Sequence, residues 1–407
     1  MSTTATPRTD VTSRTPLRGR LAVFSVMLGI FAVVTTEILP IGLLTPIGAD
    51  FAVADGTAGL MMTMPGLLAA FAAPVVTLAT ARADRRLMLA AFVLLLALAN
   101  FLTAAATAYW VVLVARVLVG VTIGGFWSIG AGLAGRLVPA PSVGRATAVV
   151  FAAVPLGSVL GVPAGTLIGD LAGWRTAFVT MGVLSTGVLA LLLLTLPALP
   201  PERVTRPAVL RALLRGPGTR AALLVTFLVV LAHFGTYTYV TPFLREVTHA
   251  GPGMVTGFLL VYGAAGVAGN FLGGALVTRH PHAAFGAAGA TIAAATALLP
   301  VLGRSEAGAL ALLVLWGLGY GAVPVCSQTW FARAAPHAPE AATVLFTASF
   351  QATIAAGALA GGHVVDHASL RAVMWCGAAT AALAVLAARA HSVRKGPTTA
   401  APPSSDR

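Results

Sequence analysis

Charge is what this sequence has least of. Only 9% of its 407 residues are Asp, Glu, Lys or Arg, and only 12 are acidic, against about a quarter charged in ordinary soluble domains. So few ionic groups cannot clothe a water-facing surface, which excludes soluble enzymes and soluble binding modules. Cysteine is nearly absent too. Cys326 and Cys376 sit in apolar stretches without metal-ligand spacing, so a disulfide framework and a cysteine metal site are excluded. Both are expected to be small buried packing residues. No nucleophile–base pair or metal cluster falls within an apolar stretch, so an intramembrane enzyme has nothing to work with. Neither terminus nor the centre offers the extra domain of a receptor or sensor. Long polar segments are missing as well, except around 198–219.

What is present is apolar length. Hydrophobic residues make up 58% of the chain and the mean hydropathy is +0.91, the composition of a polytopic membrane protein. A bilayer crossing needs about 20 mostly apolar residues. Apolar runs between Gly, Pro and charged interruptions predict twelve spans, near 21–47, 57–80, 87–107, 109–135, 144–169, 174–197, 220–244, 253–278, 283–303, 307–332, 340–363 and 370–390. The basic stretch 1–20 reads as a cytoplasmic tail rather than a secretory leader, because the apolar run behind it is long enough to span.

The net charge of +13 lies in the loops. With the N-terminus inside, 20 of the 25 Lys and Arg fall on the side of the termini, four fall opposite (Arg175, Arg245, Arg304, Arg371), and Arg116 lies within a span. That bias places both termini in the cytoplasm of a bacterial inner-membrane protein and leaves no nucleic-acid partner to invoke. The partners expected are the bilayer, protons and a small solute, with the chain acting as a monomer.

The proline- and arginine-rich stretch 198–219 divides two sets of six spans, 21–197 and 220–390, ahead of a tail at 391–407. An internal repeat at an offset of 196 residues supports the division. Thr45-Pro46 matches Thr241-Pro242, Asp50 matches Glu246, and Gly161, Gly165, Asp170 and Arg175 match Gly357, Gly361, Asp366 and Arg371. The fold expected is all-α: twelve transmembrane helices in two pseudosymmetric six-helix bundles. Parallel halves with a site near the midplane are a transporter architecture.

Two buried charges stand out. Glu37 is the one acid in the interior of a span, about 15 Å below the surface at 1.5 Å per residue, and Arg116 in the fourth span lies about 10 Å down from the same side. A charge at such depth costs roughly 2.5 to 3.5 kcal/mol even on lenient scales, so it needs a partner. Either the two form a fixed structural ion pair, or Glu37 carries a proton and Arg116 tunes it by approaching and withdrawing. Candidate cavity residues are Phe126, Trp127 and Ser128 in the fourth span, His233 and Tyr237 in the seventh, Asn270 in the eighth, Gln328 in the tenth and Gln351 in the eleventh. Aromatic walls with amide and imidazole groups suit a planar, neutral, hydrogen-bonding solute. Gly120, Gly124, Gly157, Gly161, Gly165, Gly357 and Gly361 are read as helix-packing positions, and Pro155 and Pro163 as kinks in the fifth span. In the loop after the second span, Asp84, Arg85 and Arg86 form either a latch between the halves or a basic turn that sets topology.

The R116-V-L-V-G120 stretch resembles the R-x-x-x-G signature of the major facilitator superfamily. The G157-S-V-L-G161-V-P163 stretch is similar to the glycine–proline signature of its drug:proton antiporter branch, with one valine intervening. The ADRR stretch looks like a shortened form of the superfamily's loop motif. TEILPIGLLTPIGADF, GGFWSIGAGLAGRLVP, GWRTAF and VPVCSQTW resemble the nucleoside exporters of that branch. The resemblance implies alternating access in a twelve-helix fold, proton coupling through Glu37 and Arg116, and export of purine ribonucleosides, with the proton gradient as energy source and no cofactor. Drug, sugar or amino-acid efflux and proton-coupled uptake are the alternatives within the superfamily.

Overall fold

The computed structural model of the protein describes residues 16–79, 83–130, 133–200, 212–335 and 338–394, and no strand occurs among them. Twelve long helices carry the chain back and forth: α1 (Pro16–Asp50), α2 (Leu60–Ala79), α3 (Arg85–Ala104), α4 (Tyr109–Gly130), α5 (Val143–Ala172), α6 (Trp174–Thr195), α7 (Pro217–Tyr237), α8 (Pro252–Arg279), α9 (Pro281–Leu302), α10 (Glu306–Ala334), α11 (Pro339–His367) and α12 (Leu370–Arg394). Among the described residues, twelve helices are long and apolar enough to cross a membrane. Large apolar side chains such as Phe71, Trp110, Leu194 and Phe271 are exposed along their outer faces, which suits hydrocarbon rather than water. The even number of these helices puts Pro16 and Arg394 on one face; the opposite one is the far face.

Helix ends differ from the sequence expectation where local chemistry intervenes. α1 runs from 16 to 50 rather than 21 to 47, since nothing apolar is needed to continue a helix into the interface. The expected seventh span, 220–244, is two pieces: α7 stops at Tyr237 and a short helix, Val240–Glu246, follows. Thr238 Oγ1 donates to the Phe234 carbonyl at 2.6 Å, competing with the helix ladder, and Pro242 has no N–H for the Thr238 carbonyl. Of the two free cysteines only Cys326 is buried; Cys376 lies on an exposed face of α12.

Packing follows the repeat. In the first half α1 packs on α5, α2 on α4 and α3 on α6; in the second, α7 packs on α11, α8 on α10 and α9 on α12. The halves meet where α2 lies along α11 and α5 along α8. Small residues allow these approaches, as expected in lipid, where packing rather than hydrophobicity holds helices together. A Cβ on Gly120 would lie 2.6 Å from the Pro65 carbonyl oxygen, and one on Gly124 2.7 Å from the Ala73 nitrogen, so α4 rests on α2. Gly157, Gly161 and Gly165 face Val34, Thr35 and Leu39 of α1, and Gly357 and Gly361 face Gly235 of α7. At the α5–α8 boundary Gly263 meets Val159, whose carbonyl Pro163 leaves without its helical partner.

Candidate functional site

The site begins with two prolines. A proline has no N–H, so the carbonyl four residues before it loses its helical donor. Pro40 in α1 frees the Thr36 carbonyl, and Pro65 in α2 frees the Met61 carbonyl. Arg116 of α4, fully buried, donates to both: Nη1 to Thr36 O at 2.8 Å and Nε to Met61 O at 2.8 Å. Its Nη2 donates to the main-chain carbonyl of Glu37 itself at 2.7 Å. The guanidinium therefore ties α1, α2 and α4 together through their backbones. Asn100 of α3 joins them, donating to Thr36 Oγ1 at 3.2 Å.

Glu37 is 7% exposed. Its carboxyl feels the Arg116 charge without forming a side-chain ion pair, and it neighbours the side chain of Gln351 on α11, in the opposite half. The two ion pairs found among the described residues lie elsewhere, at the far face.

Across the interface, His233 of α7 occupies a box of rings. It stacks on Tyr320 with centroids 3.3 Å apart and on Tyr237 at 5.0 Å, and meets Trp316 edge-on at 5.7 Å. Tyr237 in turn stacks on Tyr262 at 4.5 Å. Trp316 Nε1 donates to His233 Nδ1 at 3.1 Å. An indole N–H can only donate, so Nδ1 carries no proton and the imidazole is neutral with its hydrogen on Nε2. Tyr320 lies within electrostatic reach of Glu37, so the carboxyl and the ring box share one neighbourhood.

Of the expected cavity residues, His233, Tyr237 and Gln351 gather around this centre. Phe126 does not: it is 1% exposed and its ring fills the notch at Gly29 of α1. Trp127 is half-buried against Phe151 at 6.5 Å, Asn270 is half-buried, and Gln328 is exposed on α10. Ser128 lies in α4, but its side chain is outside the described residues. Tyr262, Trp316 and Tyr320 escape the sequence reading. The signal was there in W316-G-L-G-Y320-G, where aromatics at i and i+4 share one helix face while glycines take the others.

Asp84, half-buried, caps α3 by accepting from Arg86 N at 2.7 Å, and also accepts from Leu199 N at 3.2 Å. Arg86 Nη2 donates to Leu193 O at 2.5 Å, and the main chain of Arg85 donates to Leu199 O at 2.9 Å. These contacts hold the α2–α3 loop to the end of α6 within the first half. At the far face three contacts join the halves: Arg245 to Asp170 at 3.2 Å, Gly56 N to Asp366 Oδ1 at 2.8 Å and Thr241 Oγ1 to Ile41 O at 2.8 Å.

A twelve-helix membrane protein with two six-helix halves and a polar centre between them has the architecture of a solute transporter. The chain belongs to the Major Facilitator Superfamily, whose family model matches residues 26–343. It is a multi-pass membrane transporter that works in the bilayer on a small solute, and it is not an enzyme. It is 31% identical over 349 residues to the purine ribonucleoside efflux pump NepI of Escherichia coli (strain K12), covering 86% of this chain and 88% of that one. The pump of the same name from Shigella flexneri matches equally. Among solved structures, a bacterial homolog to the human lysosomal transporter Spinster, inward-facing and occupied, superposes with a TM-score of 0.76 at 17% identity, covering 94% of this chain and 98% of the other. The human organic anion transporter MFSD10 (TETRAN) gives 0.65 at 18%, covering 92% and 100%. At such identities the two structures speak for the fold alone.

Proposed function

We propose that the protein is a proton-coupled antiporter exporting purine ribonucleosides from the cytoplasm by alternating access. It works as a monomer in the bacterial cytoplasmic membrane, with both termini inside and the proton gradient as its energy source. The observation that carries this reading is Glu37, a buried carboxyl at the boundary between the halves that is charge-coupled to Arg116 but not locked to it in an ion pair. A fixed ion pair would hold one protonation state, whereas this carboxyl is free to gain and lose a proton. The solute class draws on the efflux pumps that are 31% identical to it over 349 residues and on the aromatic, hydrogen-bonding character of the centre, which suits a planar base.

In the cycle, Glu37 takes a proton from the outer side after the solute has left. Neutralisation removes a buried charge from the interface and favours the return to the inward-open form. The membrane potential assists net inward movement of positive charge by about 2.3 kcal/mol per charge per 100 mV.

The test uses inverted vesicles loaded with a pH-sensitive dye and acidified inside. Added inosine is expected to release protons from the lumen of vesicles holding the wild-type chain. Glu37→Gln should give no release at equal protein level and equal monodispersity in detergent. Full activity in that variant would overturn the role of Glu37. A response to a drug or sugar with none to nucleosides would overturn the solute class and leave antiport standing.

A further inference from the structure

Gln351 is 5% exposed in α11. Its side chain neighbours the Glu37 carboxyl across the boundary between the halves, and its Oε1 is buried with no donor. A buried amide oxygen left unpaired costs about 1–3 kcal/mol, so a donor should reach it at some stage of the cycle. The charged and titratable groups that face Glu37 are Arg116 from α4 and Tyr320 from α10. Arg116 is already engaged with three carbonyls, and Tyr320 is stacked on His233. The oxygen of Gln351 is the acceptor that these contacts leave unfilled.

A carboxylate can only accept, whereas a carboxylic acid also has one hydrogen to give. An amide presents a donor at one end and an acceptor at the other. We propose that Gln351 is the positioning residue through which α11, and with it the second half, registers the proton on Glu37. Ionised Glu37 accepts from Nε2–H; protonated Glu37 donates its O–H to Oε1 once the amide has turned over. The proton comes from water and no covalent bond changes. The place suits such a role: α11 crosses α2 so closely here that a Cβ on Gly66 would sit 2.7 Å from the Gln351 carbonyl oxygen. Gln351 therefore stands where the halves touch. The inference rests on Glu37 being the proton carrier.

Infrared difference spectra of the full chain in lipid, recorded between acid and alkaline buffer, test it without reference to any solute. The carboxyl band of Glu37 is the one removed by Glu37→Gln. Gln351→Met, of similar length but apolar, is expected to move that band to higher frequency, the mark of a lost hydrogen bond. A residue that only fills space would leave it in place. If Gln351→Met does not fold, Gln351→Asn serves, since its shorter amide draws back from Glu37 and should move the band in the same sense. An unmoved band in the folded variant, with Glu37→Gln still removing it, overturns the role of Gln351 alone. If Glu37→Gln removes no band, the proton-carrier reading falls and this inference falls with it.

Discussion

Helices α1 and α7 hold equivalent places in the two halves, yet they solve the same packing problem with opposite chemistry. At the offset of 196 residues Glu37 corresponds to His233 and Pro40 to Thr236. Between the pairs α2–α4 and α8–α10 the offset is 197, because Gly120 rests on the Pro65 carbonyl as Gly317 rests on that of Tyr262. Arg116 then corresponds to Leu313, and Pro65 to Tyr262. The first half has two prolines, two carbonyls without helical donors, and an arginine that supplies both. The second half lacks both prolines, and there a buried leucine stands in the arginine's place while the centre fills with rings. The three positions differ together. Arg116 is therefore present first as a backbone bracket, and its charge beside Glu37 comes with that duty.

This contrast is open to attack where the effect should be largest. Arg116→Leu copies the second half and strands the Thr36 and Met61 carbonyls, a loss of about 2–6 kcal/mol at about 1–3 kcal/mol each. Yield and thermal midpoint in detergent should fall steeply. Restoring the missing donors with Pro40→Ala and Pro65→Ala in the same chain should recover much of the loss. If the triple variant is no more stable than Arg116→Leu, the bracket is wrong and the arginine matters for its charge alone.

A smaller effect is expected at the equivalent residue of α7. His233→Leu leaves the Trp316 N–H without its acceptor and removes a ring from the stack, a cost of about 2 kcal/mol. Because the Trp316 bond requires a bare Nδ1, His233 stays neutral while the box is intact. The pH dependence of transport in that variant should match the wild type. A lost or flattened pH profile would make His233, rather than Glu37, the titrating group.

Why some of this was legible in the sequence and some not follows from which interactions are periodic. Twelve spans, the two halves and the depth of Glu37 and Arg116 follow from hydropathy and helical rise, which the membrane enforces along each segment separately. The partners of Arg116 were less visible, although Pro40 and Pro65 each announce a carbonyl in need four residues earlier. Gathering His233, Tyr237, Tyr262, Trp316 and Tyr320 depends on how α7, α8 and α10 rotate about their axes. Glycines set that rotation, and one sequence does not reveal which faces they bring together. Phe126 shows the same limit: beside Trp127 it reads as a cavity wall, but the gap opposite Gly29 draws it into the core.

The finest difference between the halves lies at the far face. Asp50 accepts from Arg175 at 2.5 Å and from Trp174 Nε1 at 3.2 Å, and the guanidinium lies 4.3 Å over the Trp174 ring. The equivalent Glu246 and Arg371 line a cavity of about 480 Å³ together with Asp55 and form no ion pair within 4 Å. The Arg175 and Asp50 side chains are 43% and 41% exposed, so water and salt screen them and the pair contributes only about 0.5–1 kcal/mol. Asp50→Asn should lower the thermal midpoint slightly, by less at high salt. Glu246→Gln should leave it unchanged, because no bond is lost and one of several neighbouring carboxylates is neutralised. Equal losses in the two variants would mean that the end of α1 and the short helix Val240–Glu246 are clamped alike, and the asymmetry would then be confined to the centre, where Glu37 faces the ring box.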